Sequence, residues 1–279
     1  MDRKHRKVAI ITGATSGIGA EAAKVLAAEG MHLVLAVRSI QKGELLRAEI
    51  IDQNPGAQID LMLCDLSSLK SVRHFAEQFD ATYSRLDVLI NNAGVWETRR
   101  KESQDGIELT FAVNHLAPFL KTNLLLEKLK ATANSRIINV SSNAHKFARV
   151  NLDDLEGKKS WNSTKAYAQS KLANVLFTRS LAKLLDGTGV MAFSMHPGFV
   201  ATNLFSKFPG FMMSLLSPVM VSPQKGAETL VYLATQPEVE KLNGSYFVKK
   251  KPARISKAGK DDLLAHQLWE VSQMYISKI

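Results

Sequence analysis

Short apolar runs alternate along this chain with longer segments in which apolar residues recur every three or four positions. The runs are Val8 to Thr12, Leu33 to Val37, Ile59 to Leu63, Val88 to Ile90, Ile137 to Val140 and Ala192 to Met195. Most are apolar throughout, the pattern of parallel strands covered on both faces. Between them Leu69, Val72, Ala76 and Phe79 trace one helical stripe, and Leu109, Val113, Leu116, Leu120 and Leu124 trace another.

This alternation, sustained from residue 7 to about 198, predicts an α/β fold: a single-domain Rossmann-type doubly wound parallel sheet with helices on both faces. Ligands of such sheets bind beyond the carboxyl ends of the strands. No linker divides the chain, so residues 1–279 read as one domain. After Pro197-Gly198 comes an apolar segment, Asn203 to Val221, broken by Pro209-Gly210. A helix from Pro223 to Thr235, a short strand near Ser245 to Val248 and a final helix with Leu264, Leu268, Val271 and Tyr275 on one face complete the pattern.

Composition narrows the class. With 46% hydrophobic and 22% charged residues the chain can bury an ordinary core, which excludes global disorder. One cysteine, Cys64, excludes an intrachain disulfide and a multi-thiolate metal site, and fits a reducing compartment. The net charge of +10 is concentrated in Arg3, Lys4, Arg6 and Lys7 and in Lys249, Lys250, Lys251 and Arg254. Such clusters are either solvated tails or an attraction for an anionic partner. No zinc-finger, helix-turn-helix or aromatic RNA-binding signature accompanies them, so nucleic acid is not expected as a partner. No signal peptide is visible, and Phe211 to Val221 is too short to span a bilayer and contains Pro218. A cytoplasmic chain is expected, with peripheral membrane contact through the basic start and the apolar segment as a further hypothesis.

Candidate chemistry gathers at strand ends. Thr12-Gly13-Ala14-Thr15-Ser16-Gly17-Ile18-Gly19 follows the first strand and leads into a helix with Ile18, Ala22, Val25 and Leu26 facing inward. Glycines there let the backbone approach a pyrophosphate, and the helix start offers free N–H groups; without a following Gly-Lys-Ser/Thr it is not a Walker loop. Arg38 closes the second strand where an acidic residue would select NAD. Its guanidinium suits a 2′-phosphate, or it is a plain surface residue. Asp65, after the third strand, is either an acceptor for an adenine amino group or a cap near Ser67 and Ser68.

Tyr167 and Lys171 lie one helical turn apart and project from the same face. Half-ionising a tyrosine near neutral pH requires a downward shift of roughly 3 units, about 4 kcal/mol, which a nearby ammonium and a cationic nicotinamide both favour. Such a phenol serves as a general acid or base toward a carbonyl or alcohol. Ser141-Ser142 arrives at the edge of the sheet on the fifth strand and can hold a substrate oxygen or cap a turn. Asn114, within the Leu109 to Leu124 helix, and Asn91-Asn92-Ala93-Gly94, closing strand four, also have bland readings as a solvent-facing amide and a turn.

Taken in order, Thr12 to Gly19, Asn91 to Gly94, Asn114, Ser142, Tyr167 with Lys171, and Pro197-Gly198 with Thr202 resemble the motifs of the short-chain dehydrogenase/reductase family over nearly the whole chain. The resemblance implies a catalytic tetrad of Asn114, Ser142, Tyr167 and Lys171. Tyr167 would be the acid/base and Ser142 would position the substrate oxygen. Lys171 would bind ribose and tune Tyr167, and Asn114 would hold a proton-relay water. NADP(H) would meet Gly13, Thr15, Ser16, Gly17, Ile18 and Gly19, then Arg38, Asp65, Leu66, Asn91, Ala93 and Gly94, and finally Tyr167, Lys171, Pro197, Gly198 and Thr202. No metal is expected.

Within that family Cys64-Asp65-Leu66, Phe111 to Leu116, Ser170 to Thr178 and His196-Pro197-Gly198 look most like the retinol dehydrogenase-like branch. Pro118 departs from it, standing where histidine is common, and the N-terminal membrane anchor found in several relatives is not expected here. The long stretch from His145 to Lys159, before Tyr167, is expected to border the substrate mouth. Phe199, Leu204, Phe205, Phe208, Phe211, Met212, Met213, Leu215 and Leu216 suggest an apolar substrate lid at about 199–221, or plain packing. The expected activity is hydride transfer between NADP(H) and a lipophilic aldehyde, ketone or alcohol. The alternatives are an NAD-linked alcohol dehydrogenase and a non-catalytic cofactor-binding scaffold. A homo-oligomer, pairing through the helices that carry Asn114 and Tyr167, is what the resemblance implies.

Overall fold

The computed structural model describes residues 6–200 and 220–278. Among these residues eight strands form one sheet in the order β3-β2-β1-β4-β5-β6-β7-β8. They are β1 (Val8–Thr12), β2 (His32–Val37), β3 (Gln58–Leu63), β4 (Val88–Asn91), β5 (Arg136–Val140), β6 (Met191–His196), β7 (Tyr246–Val248) and β8 (Lys251–Pro252). The first seven are parallel; only β8, paired antiparallel with β7, was not anticipated. The strand order reverses between β1 and β4, where doubly wound sheets open a crevice.

Both faces of the sheet are buried, as continuous apolar strands require. Val8 and Ile10 of β1 join one core with Val72, Phe75 and Leu116, while Ala9 and Ile11 join the other with Ala23, Leu26 and Leu230. The edge strand β3 differs: Leu63 is half exposed because a strand neighbours β3 on one side only. Helices α1 (Gly17–Ala28), α2 (Ile40–Gln53) and α3 (Leu69–Thr82) follow the first three strands, and α7 (Ser163–Leu184) precedes β6.

The predicted Leu109 to Leu124 helix is three pieces: α4 (Leu109–Phe111), a π turn (Ala112–Leu116) and α5 (Ala117–Leu124), with α6 (Leu126–Lys130) after it. Pro118 supplies the reason. It has no N–H for the Asn114 carbonyl four residues earlier, and its ring crowds that carbonyl, so the Ala117 N–H bonds back to Ala112, five residues away. The helices Pro223–Thr235 and Asp262–Ser277 lie where the periodicity places them. Among the described residues no helix is long and apolar enough to cross a membrane.

Candidate active site

Strand register places the candidate residues along one edge. Ile11 pairs with Ile90, Asn91 with Asn139, Val140 with Met195 and His196 with Val248. The glycine loop, Asn91 to Gly94, Ser141-Ser142 and Pro197-Gly198 therefore leave the sheet side by side.

In the glycine loop, a Cβ on Gly13 would sit 2.8 Å from the Ala93 Cα, and one on Gly19 would sit 2.6 Å from Asn92 Nδ2. Gly13 also has φ +67, a conformation side chains disfavour. Thr15, Ser16, Gly17 and Ile18 complete the turn into α1, whose first N–H groups receive no side-chain cap from Ser16. Asn92, a turn residue by sequence alone, buttresses this loop by donating to the Thr12 carbonyl at 2.8 Å and to that of Gly13 at 3.2 Å. Thr12 Oγ1 accepts from the N–H groups of Asn92 and Ala93.

Arg38 stands exposed at the tip of β2. Asp65 accepts from the Ser67 N–H and hydroxyl on one oxygen and from Gln104 Nε2 on the other; the cap of α3 itself is Ser68. The Leu66 side chain belongs to the core, which leaves its backbone for any ligand. The Asn91 amide is likewise turned inward, donating to Thr122 Oγ1 and Asn139 Oδ1. What faces the cleft there is the backbone of Ala93 and Gly94, and a Cβ on Gly94 would come within 3.2 Å of Lys171 Nζ.

Asn114 is fully buried in the π turn and does not face water. Its Oδ1 accepts from the Val95 N–H at 2.7 Å, and its Nδ2 donates to the Val95 carbonyl and to Ser170 Oγ. Ser142 accepts from the Ala144 N–H, and its hydroxyl also lies against the Tyr167 phenol. Tyr167, 6% exposed, is stacked face to face on Trp96 with ring centres 4.4 Å apart. Trp96 Nε1 donates to Ser163 Oγ at the start of the same helix. Lys171 Nζ sits 5.5 Å from the Tyr167 ring centre and donates to the Val140 carbonyl. Trp96 and Val140 carry no motif that sequence alone could flag.

Burial dominates the electrostatics. It pushes the Tyr167 phenol up to about 12, with Ser142 pulling the other way, and pushes the Lys171 ammonium down to about 8. In the protein alone, loss of water therefore outweighs the attraction that the one-turn spacing suggested. His196 is held down to about 4 by burial and then by His145, Lys146 and Lys171. His145 packs its ring edge on Tyr246 and lies 2.7 Å from the Ser142 carbonyl. Among the described residues no group of three or more acidic, cysteine or histidine side chains could hold a metal. Pro197 and Gly198 lie at the end of β6; Thr202 and the apolar residues Leu204 to Leu216 fall outside the described residues.

A buried phenol with a hydroxyl and an amine beside it, at the mouth of a glycine-lined crevice, is equipped to move a proton next to a bound dinucleotide. Residues 7–210 match the family model for short chain dehydrogenases, and the chain belongs to that family of oxidoreductases, which bind a nicotinamide cofactor. Within it the chain is retinol dehydrogenase-like. It is 44% identical to retinol dehydrogenase 11 of Mus musculus over 95% of this chain and 85% of that protein. It is 42% identical to retinol dehydrogenase 12 of Homo sapiens over the same shares. Among solved structures, an uncharacterized protein of Mycobacterium paratuberculosis superposes with a TM-score of 0.78 at 34% identity, covering 97% of this chain and 93% of the other.

Proposed function

We propose that the enzyme transfers hydride between NADP(H) and a lipophilic aldehyde, ketone or alcohol of retinoid, sterol or long-chain type, with carbonyl reduction preferred. The observation that carries this reading is the meeting of Tyr167, Ser142 and Lys171 beside the glycine-lined crevice. The cofactor suits the residues present: Gly13 and Gly19 keep open a cradle that any Cβ would fill, and the uncapped start of α1 offers N–H groups to a pyrophosphate. When bound, it supplies or accepts the hydride.

In this reading Arg38 binds the 2′-phosphate. Ser142 holds the substrate oxygen, Tyr167 gives that oxygen a proton or takes one from it, and Lys171 holds the ribose while its charge draws the phenol down from its buried value. Both amide hydrogens of Asn114 are used and its Oδ1 already accepts from Val95, so a relay water would hang on its backbone carbonyl, to which Pro118 has no N–H to offer. Support for a lipophilic substrate comes from the names of the relatives and from Phe147, 89% exposed on the stretch that follows Ser142.

The test is a panel of hydrophobic aldehydes and ketones with NADPH and NADH in parallel. NADPH is expected to be preferred, and Arg38→Asp to shift the preference toward NADH. An unchanged ratio would leave Arg38 a surface residue.

Assembly is proposed to avoid the face that the resemblance implies. The helix Asp262–Ser277 of the same chain covers it, with Trp269 edge-on to Phe119 at 4.9 Å and Ser272 Oγ 2.9 Å from His115 Nε2. In any oligomer detected by light scattering, crosslinks are expected to map away from α5 and α7. A dimer whose crosslinks map to residues of α5 and α7 would contradict this.

A further inference from the structure

Behind Lys171 lies a row of buried polar groups that packing does not explain. Lys171 Nζ and Asn174 Nδ2 donate to the same acceptor, the Val140 carbonyl, at 3.1 and 3.3 Å. Asn174 sits one turn beyond Lys171 on α7, and its Oδ1 has no hydrogen-bond partner at normal distance among the described residues. His115, next to Asn114 in the π turn, shows the matching gap. Its Nε2 lies 2.9 Å from Ser272 Oγ, its Nδ1 lacks a partner at normal distance, and the imidazole borders the Asn174 side chain.

Counting hydrogens selects one arrangement. The Asn174 amide must present its NH2 to the Val140 carbonyl, which fixes Oδ1 on the other side. Burial keeps His115 neutral, so its ring carries a single N–H. With that hydrogen on Nε2, a bare Nδ1 would face the bare Asn174 oxygen and leave both unsatisfied. With it on Nδ1, the ring donates to Asn174 Oδ1, and Nε2 accepts the Ser272 hydroxyl hydrogen. That hydrogen then turns away from the Leu268 carbonyl, which lies 2.7 Å from the hydroxyl oxygen.

We infer that His115, as its Nδ1–H tautomer, and Asn174 are positioning residues for the catalytic lysine, forming a one-way chain of donors from Ser272 to the Val140 carbonyl. The chain gives that carbonyl a second donor. Lys171 can then turn its ammonium toward Tyr167 and the ribose without stranding a buried oxygen. If Asn174 is removed, the lysine becomes the carbonyl's remaining side-chain donor and is held back. This role rests on the proposed function; the tautomer does not.

The test has two arms. In the full chain labelled with 15N-histidine, two-bond correlation spectra at neutral pH report which ring nitrogen carries the hydrogen, with His115→Gln used only to assign the signal. The Nδ1–H pattern is expected, and the Nε2–H pattern would overturn the chain. In the second arm Asn174→Leu, which keeps the branched outline though it is bulkier, is expected to lower kcat about tenfold, the scale of one lost hydrogen bond. KM for the carbonyl should stay within about twofold, while the NADPH dissociation constant should rise, because a lysine held on the Val140 carbonyl is also withdrawn from the ribose. A folded Asn174→Leu enzyme with unchanged kcat would refute the role. If this variant does not fold, the tautomer decides alone. Wild-type protein inert toward every carbonyl would defeat the proposed function and leave the tautomer result standing.

Discussion

Tyr167→Phe is expected to reduce turnover by roughly 10²–10⁴-fold while NADPH binding stays close to that of the wild type. The substitution deletes one hydroxyl and keeps the ring. Trp96 can therefore still stack on it at 4.4 Å, and α7 loses none of its packing. What disappears is the hydroxyl placed against Ser142. Turnover by stopped-flow and NADPH affinity by fluorescence titration separate the two effects. Retained turnover would remove the acid/base assignment, and lost binding would place Tyr167 in the cofactor site rather than in the chemistry.

Lys121→Met is expected to stabilise the fold by about 3 kcal/mol at pH 7. Lys121 is completely buried on α5, its Nζ has no hydrogen-bond partner among the described residues, and burial holds its ammonium down to about 8. Its titratable neighbour there is Cys64, whose own thiol burial pushes up to about 11, so it is neutral at pH 7 and offers the ammonium no counter-charge. At pH 7 the amine is protonated in both the folded and the unfolded chain, and the folded state carries the full cost of a buried charge. Between about pH 8 and 10.5 the folded protein releases that proton while the unfolded chain keeps it, so the wild type gains stability as pH rises. The variant's advantage should therefore be about 6 °C in Tm near neutrality and should fade toward pH 10. Methionine fits because it is unbranched and apolar. A Tm gain that did not depend on pH would indicate improved packing instead of relief of a buried charge.

The departures from the sequence reading have common causes. The stripe from Leu109 to Leu124 is legible as a helix, because apolar spacing is local. The π turn is not, although its cause, Pro118, stands in the sequence as a departure from the retinol dehydrogenase-like pattern. Asn114 reads as a mediocre helix residue until Val95, 19 positions away, takes up its amide. The same holds for Glu108, which caps α4 and receives the Trp161 indole from the stretch before Tyr167. Glu156, near Trp161, accepts from the Glu108 N–H and the Tyr275 hydroxyl. These bonds clamp that stretch to the element carrying Asn114, and nothing in the local sequence announces them.

The chain's own residue order decided the strands and their sequence-adjacent helices, the glycine turn after β1, and the one-turn spacing of Tyr167 and Lys171. Each follows from short-range geometry and patterning, which neighbouring residues determine among themselves. Tertiary structure decided which polar groups lose water and which partners they meet. That choice turned Asn91 inward, left Lys121 without a hydrogen-bond partner among the described residues, set the phenol and the amine of the active site against their charged forms, and laid the last helix over α5 and α7. Desolvation depends on everything packed around a group, so it exists only once distant segments have come together.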